Sequence, residues 1–343
     1  MSKLSCITCL LWSVLALLQQ SPALVHAAAA LSNPPNPNEN ETSRRHVLSN
    51  GWKTGLGIVG AVAYGTIVKN ALGRVISLQA MDYPPEHTRR VARTIHDTLH
   101  LARVERSLSL LPSSLPSSIQ QQQLLRVLEV GIGQDCRLIR SGLYNDAFDA
   151  LATMGVTRIE LVGMDLVRPK EASIQKAMDY LNERQRDSPL QVDLTIMEGD
   201  ITQLSSLLLL STPRSTTLPQ RLPLSFDAVI SCLTLCSVQD QELAVASIRD
   251  SLRPRGGCLG YIEHVAVNPT EPYKFLEWQQ QTLDPLQQAL ADNCHLHRYT
   301  EQTIARVFGI DTHRAALVSE ERFLVDSMWP VTCQACGIVQ RIV

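Results

Sequence analysis

Arg126–Cys136, RVLEVGIGQDC, runs an apolar stretch into Glu129-Val130-Gly131-Ile132-Gly133 and then gives way to a helical pattern. A strand ending in glycines lets the backbone come close to a nucleoside cofactor, where a side chain would fill the cofactor's space. Gly-x-Gly alone is equally compatible with a tight strand-to-helix turn that holds nothing. Its neighbours therefore decide the reading.

On both sides of this stretch the hydrophobic period alternates as a parallel α/β sheet requires. Val127–Val130 reads as strand one, Asp135–Met154 as mainly helical, Arg158–Met164 as strand two, Pro169–Arg184 as a helix opened by proline, and Val192–Met197 as strand three. Phe226–Cys232 has the continuous apolar character of a strand buried on both faces. The following helix carries Ala244, Val245, Ile248 and Leu252 on one stripe and stops at Arg253-Pro254-Arg255-Gly256-Gly257; Cys258–Glu263 is strand five. A helix around Tyr273–Leu290 and two short strands near Ser327–Thr332 and Gly337–Val343 complete the expectation. Upstream, residues 84–123 divide into a helix with Val91, Ile95, Leu99 and Val104 at helical spacing, expected to pack as a lid or extra helix, and a low-complexity insertion. Residues 204–225 form a second Leu/Ser/Pro-rich insertion, and the core domain spans 124–343.

The chain has 343 residues, 45% of them hydrophobic, enough for one large core with decorations. Lys and Arg total 31 against 33 acidic residues, so no global basic field exists to hold a nucleic-acid backbone, and a small or membrane-bound substrate is favoured. The nine cysteines show no regular ladder, which argues against a disulfide scaffold. Residues 1–27 read as a secretory signal peptide: Lys3, the apolar run Ile7–Leu18, and Val25-His26-Ala27 before Ala28. Residues 28–83 form a linker with a possible second targeting or membrane-associating segment. Within it lie the Pro/Asn-rich stretch 33–40, the glycosylation pattern Asn40-Glu41-Thr42, paired Arg44-Arg45, and the uncharged run Gly55–Val68. Membrane association through the endoplasmic reticulum or another endomembrane, twin-arginine routing to a plastid thylakoid, and a buried domain helix all remain open here.

The carboxylates carry the chemistry. Asp165, ending strand two, is placed to accept the ribose hydroxyls of a nucleoside. Glu129, just before the glycines, suits a cofactor bearing an ammonium group better than a pyrophosphate. Asp200, after strand three, could bind an adenine amino group. The ordered set Glu129, Gly131, Gly133, Asp165 and Asp200 points to S-adenosylmethionine, with a nicotinamide dehydrogenase as a distant alternative.

At this point the chain resembles the class I S-adenosylmethionine-dependent methyltransferases over about Leu124–Val343. The resemblance narrows through Cys232-Leu233-Thr234-Leu235-Cys236-Ser237-Val238, Leu252-Arg253-Pro254 with Gly256-Gly257, Glu263-His264-Val265, Trp278-Gln279-Gln280 with Asp284-Pro285, and Cys294-x-Leu296-x-Arg298. These segments look like the membrane-associated methyltransferase-like family that includes alkyl thiol S-methyltransferases. The resemblance implies a Rossmann-like, mostly parallel seven-stranded sheet with helices on both faces, and methyl transfer to a small, apolar acceptor, a thiol first. A lipid amine or quinone hydroxyl is the alternative acceptor, and a cofactor-binding scaffold without catalysis is the alternative class. It also implies that Cys232 and Leu233 line the cofactor pocket.

Asp135 stands where many family members carry a third glycine; it is expected to cap the following helix or to touch cofactor. His264, directly after strand five, is the candidate to assist the reaction, or else a ring hydrogen-bonded to backbone. Asp284 either orients substrate or caps a helix. Trp278 walls the acceptor pocket or packs in the core, and Cys236 lies on the substrate side. His295 and His297 read as surface histidines. Cys232 with Cys236, and Cys333 with Cys336, are isolated pairs short of the four ligands of a structural zinc site, so no metal is expected.

Overall fold

The computed structural model describes residues 83–109, 124–186, 188–204, 206–207 and 225–343. The readings of a signal peptide, linker and apolar 55–68 segment lie outside these residues, as do the interiors of both insertions. Seven strands form one sheet: β1 (Leu124–Val130), β2 (Arg158–Asp165), β3 (Gln191–Glu198), β4 (Ala228–Cys232), β5 (Cys258–His264), β6 (Ala315–Leu324) and β7 (Cys333–Arg341). Their order is β3-β2-β1-β4-β5-β7-β6. The first five run parallel, and β7 is antiparallel to both β5 and β6. The expected mostly parallel, seven-stranded Rossmann-like sheet is the observed one.

Alternation along the strands divides the core between two faces. Leu128, Val130, Val229, Leu259, Tyr261, Ala335 and Val339 share one core with α5 (Gln241–Ser251) and α7 (Thr300–Phe308), through Val245, Ile248, Ile304 and Phe308. On the other face lie α1 (Pro85–Ser109) and α3 (Asn145–Thr153). Val91, Ile95 and Leu99 of α1 are wholly buried, so the helix is a layer of the domain and not a peripheral addition. Thr98 presses on β5 where Gly260 has no side chain: a Cβ there would lie 2.2 Å from its hydroxyl.

Several local expectations need correction. The segment after β1 is split: α2 is only Arg137–Arg140, and Gly142, at φ 68°, separates it from α3. Asp135 does not cap α2; Cys136 holds the cap position with no side-chain bond, and Asp135 instead accepts Arg137 Nε at 3.2 Å. No strand forms at Ser327–Thr332. Asp326–Met328 is a 3-10 turn leading through Pro330 into β7, which starts at Cys333, four residues before the expected Gly337. β6 and α7 were not foreseen. The remaining helices, α4 (Glu171–Gln185) and α6 (Lys274–Leu290), lie where the pattern put them. Among the described residues no helix is long and apolar enough to cross a membrane.

Candidate active site

The parallel strands β3, β2, β1 and β4 bring their carboxyl ends to one edge, where ligands of open α/β sheets bind. There the backbone N–H groups of Gly131 and Ile132 both donate to the Met164 carbonyl, at 2.7 and 3.1 Å, fixing the turn against β2. The two glycines then serve different ends. Gly131, at φ 72°, lies so close to the loop after β4 that a Cβ would sit 1.9 Å from Thr234 Oγ1. Gly133, at φ 75°, faces open space, its nearest neighbour Asp135 Oδ1 at 3.6 Å from a built Cβ. The first lets the protein close on itself; the second leaves room.

Asp165 and Glu129 converge on this turn. Asp165 Oδ2 accepts the Gly133 N–H at 2.9 Å and Oδ1 the Val167 N–H at 3.3 Å, so backbone orients the carboxylate. Glu129 is buried beside it. Its Oε2 accepts the Tyr144 hydroxyl at 2.9 Å, while Oε1 is buried with no hydrogen-bond partner among the described residues. Burial pushes the Glu129 pKa up to about 8; the Tyr144 bond works against this and the neighbouring Asp165 adds to it. A buried acceptor left unpaired costs about 1–3 kcal/mol, and an ammonium group of a ligand would satisfy it. Asp200 caps the 3-10 turn Ile201–Gln203, with Oδ1 accepting the Thr202 N–H at 2.8 Å. These acceptors fit S-adenosylmethionine, with Glu129 able to take its ammonium and Asp165 its ribose hydroxyls, while Asp200 is engaged in its own cap.

Cys232 ends β4, buried, its thiol pushed up by burial and by the nearby Glu263. It pairs with the Tyr83 hydroxyl, whose ring also carries the Arg137 guanidinium 4.9 Å from its centroid. Leu233 takes φ 52°, and its N–H donates to the Ile262 carbonyl at 2.8 Å. That turn directs Cys232 and Cys236 into different surroundings. Glu263, buried at the end of β5, accepts Ser231 Oγ (2.7 Å), Thr234 N (3.1 Å) and Cys236 N (3.4 Å), and so shapes the whole loop after β4. Glu263, Thr234, Tyr83 and Arg137 were not among the candidates. Glu263 had a signal, an acid inside an otherwise apolar buried strand, which the adjacent His264 overshadowed.

On the far side of that loop, His264 Nε2 lies 2.5 Å from the His295 carbonyl, so it does hydrogen-bond backbone. Its Nδ1 lies 3.6 Å from Cys294 Sγ, which is 3.8 Å from Cys236 Sγ. Burial disfavours the charged imidazole, but Cys294 and the carbonyl outweigh it and raise the pKa. Asp284 sits inside α6 and caps no helix; it accepts the N–H groups of Leu296 (2.5 Å) and His297 (3.3 Å), which makes it a positioning residue for the 294–298 turn. Trp278 is 46% exposed and stacks on the 66% exposed Phe275 with ring centroids 5.7 Å apart, so it is not a core residue. His295 and His297 are partly buried, and His297 Nε2 lies 3.4 Å from Gln281.

No family model matches the chain. Part of it is 39% identical over 82 residues to human thiol S-methyltransferase TMT1A, covering 24% of this chain and 32% of that protein. A 76-residue match is 41% identical to human thiol S-methyltransferase TMT1B, covering 22% of this chain and 30% of that protein. The match thus spans about a third of these relatives' length. Among solved structures, an arsenic(III) S-adenosylmethionine methyltransferase from Chlamydomonas reinhardtii is 16% identical, with a TM-score of 0.40 and 64% of each chain covered. A SAM-dependent methyltransferase from Methanosarcina mazei is 14% identical, with a TM-score of 0.38, covering 68% of this chain and all of that one. The sheet order and the carboxylate-lined edge give this chain a class I S-adenosylmethionine-dependent methyltransferase fold, related over part of its length to thiol methyltransferases.

Proposed function

We propose that the protein transfers a methyl group from S-adenosylmethionine to a small, apolar acceptor, a thiol in the first instance. The observation that carries the methyl donor is the orphaned Oε1 of Glu129 beside Asp165 and Gly133. The bound cofactor supplies a methyl group activated on a sulfonium. The chain's part is to hold that group, align an acceptor and exclude water, and such positioning contributes up to roughly 7–11 kcal/mol in ideal intramolecular cases. A thiol with a reference pKa of about 8.5 is already partly thiolate near neutral pH, so a strong general base is optional. The thiol reading is supported by the partial likeness to thiol S-methyltransferases.

A lipid amine or quinone acceptor is favoured by a different observation, the exposed Tyr273, Phe275 and Trp278 at the start of α6, an aromatic edge suited to a lipid-like molecule. Turnover of hydrogen sulfide, alkyl thiols, phosphatidylethanolamine and quinols with labelled cofactor separates the readings. Methylation of the lipid amine alone would eliminate the thiol, and cofactor binding without turnover of any acceptor would favour a scaffold. We further propose entry into the secretory pathway and membrane association, with plastid routing as the alternative. N-terminal sequencing of the mature protein together with fractionation tests both.

Two results are expected at the cofactor site. Asp165→Ala removes charge-assisted bonds worth about 1.5–3 kcal/mol and should raise the S-adenosylmethionine Kd by about 10- to 150-fold; an unchanged Kd by calorimetry would refute the ribose assignment. The second concerns pH. A carboxyl group raised to about 8 is mostly neutral at lower pH, and only its ionised form attracts an ammonium. Affinity should therefore weaken as pH falls below about 8, by up to about tenfold per unit, with proton release on binding. Glu129→Gln should flatten that dependence.

A further inference from the structure

The sequence pairs Cys236 with Cys232, four positions away, and Cys333 with Cys336. The fold dissolves both pairs: Cys232 turns to Tyr83, Cys333 lies 3.6 Å from an Arg322 nitrogen, and Cys336 neighbours Thr94. It assembles a different group from three distant segments. Cys236 comes from the loop after β4, His264 from the end of β5, and Cys294 from the turn after α6, and all three are buried.

We infer that Cys236, His264 and Cys294 form a Cys2His binding site for a thiophilic divalent cation, Zn²⁺. The distances between the donor atoms are the first support. Zinc bonds of about 2.3 Å to sulfur and about 2.0–2.1 Å to nitrogen, at tetrahedral angles, set the ligand atoms about 3.8 Å apart for S and S and about 3.6 Å apart for S and N. Cys294 Sγ stands 3.8 Å from Cys236 Sγ and 3.6 Å from His264 Nδ1. The third edge, Cys236 to His264, is no wider than 4.8 Å. Closing it around an ion takes a turn of the His264 imidazole as well as an approach of Cys236, since Cys294 Sγ also lies 3.9 Å from Nε2.

The second support is the tautomer. A ligating histidine commonly donates its other ring N–H to a carbonyl or carboxylate. The contact of His264 Nε2 with the His295 carbonyl places the proton on Nε2 and leaves Nδ1, the nitrogen nearer Cys294 Sγ at 3.6 against 3.9 Å, as the one free to ligate. The third is the frame around the ligands. Glu263 fixes the Cys236 amide, the His295 N–H donates to the Cys236 carbonyl at 3.0 Å, Arg298 Nη1 donates to the same carbonyl at 3.3 Å, and Asp284 pins the turn that follows Cys294. Supports of this kind hold a metal site to shape before the ion arrives. Charge is the fourth: two thiolates and a neutral imidazole cancel a 2+ cation, so the loaded cluster is neutral where isolated buried charges would be costly. Three protein ligands leave the fourth position of the tetrahedron to water, as in zinc sites of the open kind.

The assignment does not depend on the methyl acceptor, and its test reads metal and not turnover. Full-length protein purified without a metal-chelating resin and dialysed should retain about one zinc per chain by elemental mass spectrometry. Cys336→Ser, a buried cysteine outside the cluster, should retain the same amount, while Cys236→Ser and Cys294→Ser should fall to less than about a fifth of it. Because the serine variants could lose metal by misfolding, the chelator-treated wild type provides an independent measurement. Added to it, cobalt(II) should produce tetrahedral d–d bands and thiolate-to-cobalt charge-transfer absorption, saturating at about one equivalent. Zinc-free protein that gives no such spectrum would overturn the proposal. So would full zinc retention in both serine variants, stoichiometric iron or copper in place of zinc, or a quantitative Cys236–Cys294 disulfide in alkylated, unreduced peptides.

Discussion

Gly131→Ala is expected to raise the Kd for S-adenosylmethionine at least 100-fold, about 2.7 kcal/mol, and to lower stability by roughly 2–4 kcal/mol. Two effects act on the same atom. An alanine held at φ 72° pays the left-handed penalty of about 1–2 kcal/mol. Its Cβ would also meet Thr234 Oγ1 at 1.9 Å, Cγ2 at 2.5 Å and Cβ at 2.7 Å, none of which is the far end of a flexible chain. Thr234 cannot simply rotate away. Its hydroxyl bonds the Val130 and Cys232 carbonyls, each at 3.1 Å, and its N–H is held by Glu263 at 3.1 Å. The collision therefore displaces either the glycine turn or the loop after β4, and both border the cofactor edge. Adding Thr234→Gly removes all three colliding atoms, and should recover part of the lost affinity although Thr234→Gly alone weakens binding. That sign of coupling separates steric conflict from general damage. A Gly131→Ala variant binding within about threefold of wild type would show that the turn is not where the cofactor sits.

Gly133→Ala should behave differently. Its Cβ would have 3.6 Å to its nearest neighbour, so strain at φ 75° remains but collision does not. Only bound cofactor would be crowded, and the loss should fall on Kd more than on the melting temperature.

The contrast between these glycines also marks how far sequence could reach. Glu129, the glycines, Asp165 and Asp200 were readable because each ends a strand or follows one, and parallel strands bring their ends to one edge whatever the details of packing. β1, β4 and β5 were readable for a related reason: largely buried on both faces, they stand out as apolar runs between helical periods, whereas β2 and β3 show through alternation of apolar and polar residues. β6 has neither property. Its AALVSEERFL is an edge strand whose middle five residues are exposed, leaving no alternation to detect. The strand expected at Ser327–Thr332 failed because Met328 and Val331, an apolar pair three residues apart, are buried by a 3-10 turn and not by a strand. α7 carries Ile304, Val307 and Phe308 on one side but is only nine residues long, shorter than the window over which a helical period reads securely. The cysteine–histidine cluster was hidden for another reason. Cysteines close in sequence invite pairing, whereas Leu233 in a left-handed conformation sends Cys232 one way and Cys236 another, toward Cys294, 58 residues further on.

Asp227→Ala is expected to cost the most stability of any single substitution considered, about 3–5 kcal/mol, and to lower the melting temperature by roughly 6–20 °C for a domain of this size. The Asp227 side chain is 1% exposed and accepts Arg106 Nη1 at 2.5 Å, Arg253 Nε at 3.0 Å and the Arg126 N–H at 3.0 Å. It thereby joins the end of α1, the start of β1 and the turn after α5. Alanine would remove the carboxylate that two mostly buried guanidinium groups and the Arg126 amide share, and breaking such a group costs more than forming it contributes. Asp227→Asn keeps the size and one acceptor oxygen, so it should cost clearly less; equal losses would mean that charge, and not packing, governs the site. Asp227 precedes β4 and thus sits at the amino edge of the parallel strands, opposite the carboxyl edge that carries Gly131 and Asp165. Measured well below its melting transition, the alanine variant should bind S-adenosylmethionine within about threefold of wild type, the reverse of the Gly131→Ala pattern. A melting temperature within about 2 °C of wild type would refute the stabilising role, and a large loss of affinity in a folded variant would show that the two edges of the sheet are coupled.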